Sequence, residues 1–293
     1  MVSDMRKLIF ILSVIALAAC GGNDDAVTIP SGDPSPTPRL LTVEVGENPI
    51  QDENADAPQL ATRTAAATTT ATFSSFSMNY ENNKYAFSKA GDTWTPTTID
   101  WPVPGDDTKI DFYAYSDGSF IYNGGNPYVS FTMDENAFHQ KDFLVAAHKQ
   151  ISYNDADGKV SLTFDHACAS VRFQICQTQT VAGQGHAFNI KSVVLKNVIK
   201  KGDYYYDSGW TLGSGSTDLT LTNTDISLTT DYQLLPSQWL FLIPQSKADV
   251  RLEIKYTIDG GAEKTKEINV GTGSWEQGKQ YSVNIRVGSS FLI

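Results

Sequence analysis

The sequence predicts an all-β chain, with β-sandwich domains in tandem behind an export signal and a flexible tether. Three observations carry this expectation. Apolar and polar residues alternate with a period of two through most of the chain after Phe73. Gly, Pro, Asn and Asp punctuate the alternating runs, and no segment holds a helical period over three turns. Period two puts successive side chains on opposite faces of a strand, so each run buries one face and wets the other. Many short strands separated by turn residues pack as sheet on sheet.

The first residues read differently. Arg6-Lys7, an apolar run from Leu8, and Leu17-Ala18-Ala19-Cys20 describe a basic, then apolar, then small-residue export signal over residues 1–19. Leu-Ala-Ala-Cys is also a lipobox pattern, in which Cys20 takes a diacylglyceryl group and becomes the first residue. The run is shorter than the ~20 apolar residues that span a bilayer. The plain alternatives are an ordinary signal peptide, or a buried helix with a chance cysteine. Residues 20–39 are rich in Gly, Asn, Asp and Ser, with Pro34, Pro36 and Pro38 alternating, and read as an extended, solvated tether. Leu40–Val45, with Leu40, Leu41, Val43 and Val45, has strand character. It is followed by polar Gly46–Gln59 and by Ala61–Thr72, almost wholly Ala and Thr. One strand thus stands between two linkers.

From Phe73 the β-rich runs follow in order. They are Phe73–Tyr80, Ile110–Tyr115, Tyr128–Met133, Phe143–Ala147, Ser161–Cys176, Ile190–Leu195, Leu219–Leu221, Trp239–Ile243, Arg251–Ile258 and Tyr281–Val287. Asp157-Gly158 is a hairpin signal between Ile151–Tyr153 and Val160–Phe164. Asp134–Gln140 is the one short helix expected, capped by Asp134. Gln177–Gly185, polar with two glycines, is the expected boundary. It divides the chain into an N-terminal domain (40–182) and a C-terminal domain (183–293).

Charge and cysteines narrow the function. The chain carries a net charge of −11. Without residues 1–19, which hold Asp4, Arg6 and Lys7, it has 20 basic and 32 acidic residues. Such a chain repels phosphate backbones and has no dense basic cluster, which excludes nucleic acid as a partner. Cys168 and Cys176 sit eight residues apart in what reads as one strand. That spacing is ~26 Å, against the roughly 4.4–6.8 Å that a disulfide bridges. Unless the chain bends at His166–Ala169, both are packed free thiols.

No chemistry-bearing motif is present. There is no nucleophile elbow, zinc-protease helix, phosphate loop or dinucleotide fingerprint. His139, His148, His166 and His186 lack metal-ligand spacing and read as surface or core-edge residues. Asp155-Ala156-Asp157-Gly158 has the look of a calcium-loop fragment, but that register puts Tyr153 and Phe164 at ligand positions. Asp24-Asp25 and Asp106-Asp107 lie in loop-like segments. No catalytic residue, metal or cofactor is expected. Tyr204-Tyr205-Tyr206 with Trp210 offer a sugar-stacking platform, with Tyr204, Tyr206 and Trp210 as the stacking rings. The competing reading is that these aromatics fill a sandwich core.

Taken in order, several segments resemble a family. They are Trp94…Trp101-Pro102…Ile110-Asp111-Phe112-Tyr113-Ala114-Tyr115, Asp142-Phe143-Leu144-Val145-Ala146, Val160–Ala167 with Val171–Ile175, Ser208-Gly209-Trp210, Leu242-Ile243-Pro244-Gln245 and Trp275…Gly278-Lys279-Gln280-Tyr281. None is specific alone, but six in order across Trp94–Tyr281 resemble the Mfa-like fimbrillins. These are surface pilus subunits and related lipoproteins of Gram-negative anaerobes. The resemblance implies two transthyretin-like, Greek-key β-sandwich domains and no enzymatic activity. It also implies assembly by strand exchange. An Arg-specific protease cuts behind an N-terminal strand, the strand leaves, and a segment of a neighbouring subunit replaces it. On this pattern Leu40–Val45 is the leaving strand and Arg63 the cleavage residue, being the only basic residue between Val45 and Lys84. Arg39 is the rival. The alternative is that Arg63 is a loop residue and Leu40–Val45 a permanent strand. The tail residues Phe291, Leu292 and Ile293 are candidate donors. Asp24-Asp25 after Cys20 resemble the signal for the outer face of the outer membrane. The implied partners are other pilus subunits, the outer membrane through the Cys20 lipid, and host or bacterial surface ligands. A lipid-anchored glycan- or protein-binding receptor is the other functional reading.

Overall fold

Nearly every alternating run becomes a strand, because a pleated backbone is the conformation that sorts such a run into an apolar and a polar face. The computed structural model describes residues 39–52 and 74–292, which belong to one compact unit. The first strand, β1 (Leu40–Glu47), covers the expected apolar patch; a two-residue strand, β2 (Gln51–Asp52), follows it.

An eight-stranded sheet contains β1. Its order is Thr93–Thr95, Asn83–Ala90, Ser75–Tyr80, Ile110–Tyr115, Leu144–Ile151, Lys159–His166, β1 and Thr98–Asp100. Its inward side chains, among them Leu41, Met78, Phe112, Leu144, Leu162 and Phe164, form one buried cluster. A second cluster gathers Phe173, Ile175, Phe188, Leu252, Tyr256, Trp275 and Ile285. Around it lies a four-stranded sheet in the order Gln233–Leu242, Ala169–Gln177, Lys279–Val287 and β2. Beside these strands stand Ser216–Thr222, Phe188–Ile199, Arg251–Ile258 and Lys264–Asn269, again hydrogen-bonded in that order. Tyr115, Phe143 and Val145 also point into the second cluster, so the chain contributes to it well before residue 183.

Four local expectations differ from the structure. Ser161–Cys176 is not one strand: Lys159–His166 and Ala169–Gln177 are separate and lie in different sheets. Ala167 and Cys168 turn the corner between the two cores, and Cys168 and Cys176 remain free and buried. Asp134–Gln140 forms no helix. There the Asn136 N–H donates to Asp134 Oδ1 at 2.8 Å and the Phe138 N–H to Asn136 Oδ1 at 3.0 Å, so side chains take the backbone donors a helix would use. Asp157-Gly158 does turn the chain at positive φ, but a single helical turn, Tyr153–Ala156, precedes it. Ile110–Tyr115 was expected to wet one face. Instead Tyr113 and Tyr115 are buried, because a second layer of strands lies over them and Tyr206 donates its hydroxyl to the Ala114 carbonyl at 3.0 Å.

Candidate functional site

The alternation in β1 decides which residues it commits to the core. Leu41 is fully buried and Val43 is 8% exposed, whereas Leu40 points outward at 46% exposure. Val45 packs partly against the same cluster. Of the expected leaving-strand residues, Leu41, Val43 and Val45 therefore face inward and Leu40 does not. Burying a side chain of this size stabilises by roughly 1.5–3 kcal/mol.

β1 is held on both edges, but unequally. It runs parallel to Lys159–His166 in register from Thr42 opposite Lys159 to Glu47 opposite Phe164. Backbone bonds close both ends of that ladder: Thr42 N–H to Gly158 O and Asn48 N–H to Phe164 O, each at 2.8 Å. Its other edge pairs antiparallel with Thr98–Asp100 through Leu40, Leu41 and Thr42 alone. Beyond Thr42 that side borders a cleft of about 460 Å³, lined by Val43, Val45, Lys89, Thr93, Trp94 and Thr97 among others. Glu44, exposed, pairs with Lys159 at 3.0 Å, and that hydrogen bond holds its carboxyl below the usual range.

The chain then crosses from one core to the other. Gln51 N–H donates to Gly278 O at 2.9 Å, and β2 continues parallel to Lys279–Val287. Residues 40–52 thus pair with the first sheet through β1 and with the second through β2. An extended segment that pairs with two sheets in turn suits strand addition.

At the crossing point lies a group that sequence reading did not single out. Glu47, the last residue of β1, has a side chain only 7% exposed, and its Oε1 stands 3.4 Å from His166 Nε2. The other ring nitrogen of His166 lies 2.5 Å from Asp142 Oδ2, with both side chains 1% exposed. His166 was expected at a surface or core edge; it is buried. Its hydrogen bond and ion pairs with Asp142 and Glu47 raise its pKa despite burial, the larger opposing influence. Burial pushes the Glu47 carboxyl up, outweighing the attraction of His166. The signal in the sequence was weak, since three ionisable residues spread over 120 positions form no motif.

The remaining predicted site residues fall in several places. Cys20, Arg63 and Ile293 lie outside the described residues. Arg39, the rival cleavage residue, is tied down: its guanidinium holds Asp106 at 2.5 Å and the Val103 carbonyl at 2.9 Å, and its own carbonyl accepts from Trp101 N–H. Phe291 is buried and stacks edge-on with Tyr256 at 5.4 Å, while its carbonyl accepts the Tyr256 hydroxyl at 2.9 Å. Leu292 packs against the same core. Tyr204 is buried, and Tyr206 and Trp210 are partly so. Trp210 donates its indole N–H to Ala167 O at 2.7 Å and meets Tyr204, Phe131 and Phe143 edge-on. Their ring faces and edges are spent on one another and on the second core.

Comparison with known proteins decides the family. A model described as fimbrillin-like matches residues 53–292. The chain belongs to the fimbrillin-like family. Solved structures share its fold: a putative cell adhesion protein from Bacteroides uniformis matches at 15% identity and a TM-score of 0.53, covering 88% of this chain and 95% of that one. A fimbrial protein from Bacteroides vulgatus matches at 16% identity and TM-score 0.50, covering 85% and 95%. A second putative cell adhesion protein, from Bacteroides ovatus, matches at 14% and 0.51, covering 84% and 92%. No curated protein sequence matches the chain. Family membership places this fimbrillin-like protein among fimbrial proteins of the cell surface, not among enzymes.

Proposed function

We propose that this fimbrillin-like protein is exported as a precursor lipidated at Cys20 and assembles into a surface pilus after cleavage at Arg63, when β1 leaves and a strand of a neighbouring subunit takes its seat. The observation that carries the reading is β1 itself. It fills an apolar slot between two strands, yet its link to the rest of the chain runs through the Arg63 segment. Removing it exposes the Lys159–His166 edge together with the pockets of Leu41 and Val43, which is the surface that captures an extended segment. Arg39 is the poorer processing residue, since it is paired with Asp106 and cutting there leaves β1 in place. The docking of Phe291 against Tyr256 favours a donor other than the C-terminal tail. The lipid would hold the precursor at the outer membrane, facing outward.

We also propose two sandwich domains of the transthyretin-like kind. Two separate buried clusters support the number. The membership of Phe173 and Ile175 in the second argues for a boundary near Ala167 rather than at residue 182. The alternative, a permanently anchored glycan receptor, has less support, because Tyr204, Tyr206 and Trp210 pack on each other.

The test is to treat the purified precursor with an Arg-specific protease. The expected result is one cut after Arg63, release of the N-terminal fragment, and growth of oligomers. An intact chain, or a cut chain that stays monomeric after losing its fragment, overturns the reading. Mass spectrometry of the native N-terminus separates an acylated Cys20 from a processed Thr64.

A further inference from the structure

Most of β1 is a well-made strand, and one residue of it is not. Glu47 brings a carboxylate into a site that already holds a paired charge. His166 Nδ1 and Asp142 Oδ2 face each other at 2.5 Å, a contact that needs no atom of β1. Glu47 adds a second carboxylate on the far side of the ring. Its Oε1 stands 3.4 Å from Nε2 without an aligned hydrogen bond, and its Oε2 has no hydrogen-bond partner among the described residues. A buried carboxylate loses its hydration and regains it only through well-aligned partners. Here one oxygen regains nothing, and the other regains a long contact to an imidazole already paired with Asp142.

We propose that Glu47 is a built-in weakness of β1, and that its seat prefers an extended segment with apolar residues at the Leu41, Val43 and Val45 positions and an uncharged residue where Glu47 lies. Such a segment of another chain pairs parallel to Lys159–His166, fills the same pockets and leaves the His166–Asp142 pair undisturbed. This rests on the reading that β1 is displaced. The self strand is then a placeholder, strong enough to complete the fold and weaker than the partner that replaces it. The elevated Glu47 carboxyl agrees with this, because burial outweighs the attraction of His166.

Two measurements test it. The first is hydrogen exchange of the full, uncut chain at pH 7.5, comparing Glu47→Gln and Glu47→Leu with the parent, and Val43→Ala as a control that loosens β1. Both Glu47 variants should slow exchange of the β1 amides about tenfold, equivalent to about 1.4 kcal/mol. Unchanged or faster exchange means that Glu47 holds the strand, and the proposal falls. The second offers labelled peptides of residues 40–52, with Glu or Leu at position 47, to the full chain nicked after Arg63. Capture of the Leu peptide should exceed the Glu peptide about tenfold; equal capture, or preference for Glu, overturns the proposal. If neither peptide enters while the Glu47 variants still slow exchange, displacement of β1 is wrong and the weakness at Glu47 stands.

Discussion

Leu40 and Leu41 are neighbours of the same type, which makes them a sharp test of how β1 is seated. Leu41 is fully buried among Phe76, Phe112, Val160 and Leu162, whereas Leu40 is 46% exposed. Truncating a fully buried leucine to alanine removes its transfer energy and leaves a cavity, for about 2–5 kcal/mol. The same change at Leu40 removes a half-wet side chain and should cost below about 1 kcal/mol. Because β1 is bound to the Thr98–Asp100 edge by only three residues, the Leu41→Ala loss should appear first as detachment of β1 and then as a lower global stability. Urea unfolding followed by tryptophan fluorescence reads the second, and exchange of the β1 amides reads the first. The expected ratio of the two costs is at least about 2. A Leu40→Ala cost equal to or larger than that of Leu41→Ala would refute the seating, since a one-residue slip sends every side chain of a strand to the opposite face.

Three further outcomes follow from the geometry. Raising the pH from 5 to 8.5 should loosen β1. Glu47, with its carboxyl raised above 4.5, favours the seated strand at low pH and loses that advantage as pH climbs to its higher buried value. His166, raised above 6.5, adds stability that is complete below that pH and fades as pH passes its elevated value. The ionisable groups facing them are Asp142 beside His166 and Cys168 behind Asp142. β1 protection that grows with pH, after correction for intrinsic exchange, contradicts this assignment. Trp210→Ala should cost about 3 kcal/mol in thermal or urea unfolding, through lost packing and the Ala167 hydrogen bond; a variant of unchanged stability would mean the ring is free for a ligand. Cys168, fully buried with its thiol pushed up by burial, should resist iodoacetamide at pH 8 in the folded chain and react on unfolding; rapid labelling of the native protein would show that the corner at Ala167 opens.

Much of the fold was legible because strand periodicity is local. Ile110–Tyr115 and Arg251–Ile258 begin and end where their alternation does. Misreadings arose wherever a distant partner intervened. Ser161–Cys176 alternates on either side of His166–Ala169, and nothing local says that the two halves join different sheets. Tyr113 and Tyr115 sit at positions that alternation assigns to water, and they are buried because Tyr206, some ninety residues on, lies over them. The same limit hid the candidate site's polar centre. Glu47 and His166 end their strands and Asp142 lies just before Leu144–Ile151, and it takes both neighbours of Lys159–His166, β1 on one edge and Leu144–Ile151 on the other, to bring them together.

By itself, then, the sequence determined the all-β class, the placement of most strands, the isolation of β1 between polar segments, and the absence of catalytic motifs. Each depends on residues close together in the chain, where backbone geometry and turn chemistry act. Tertiary structure alone decided that β1 lies parallel to Lys159–His166, that Leu41 rather than Leu40 fills the core, and that a carboxylate is buried at its end. Those outcomes depend on which strand becomes a neighbour. Burial and dielectric belong to the neighbours a residue acquires, and they turn Glu47 from one acidic residue among many into the weak point of the strand.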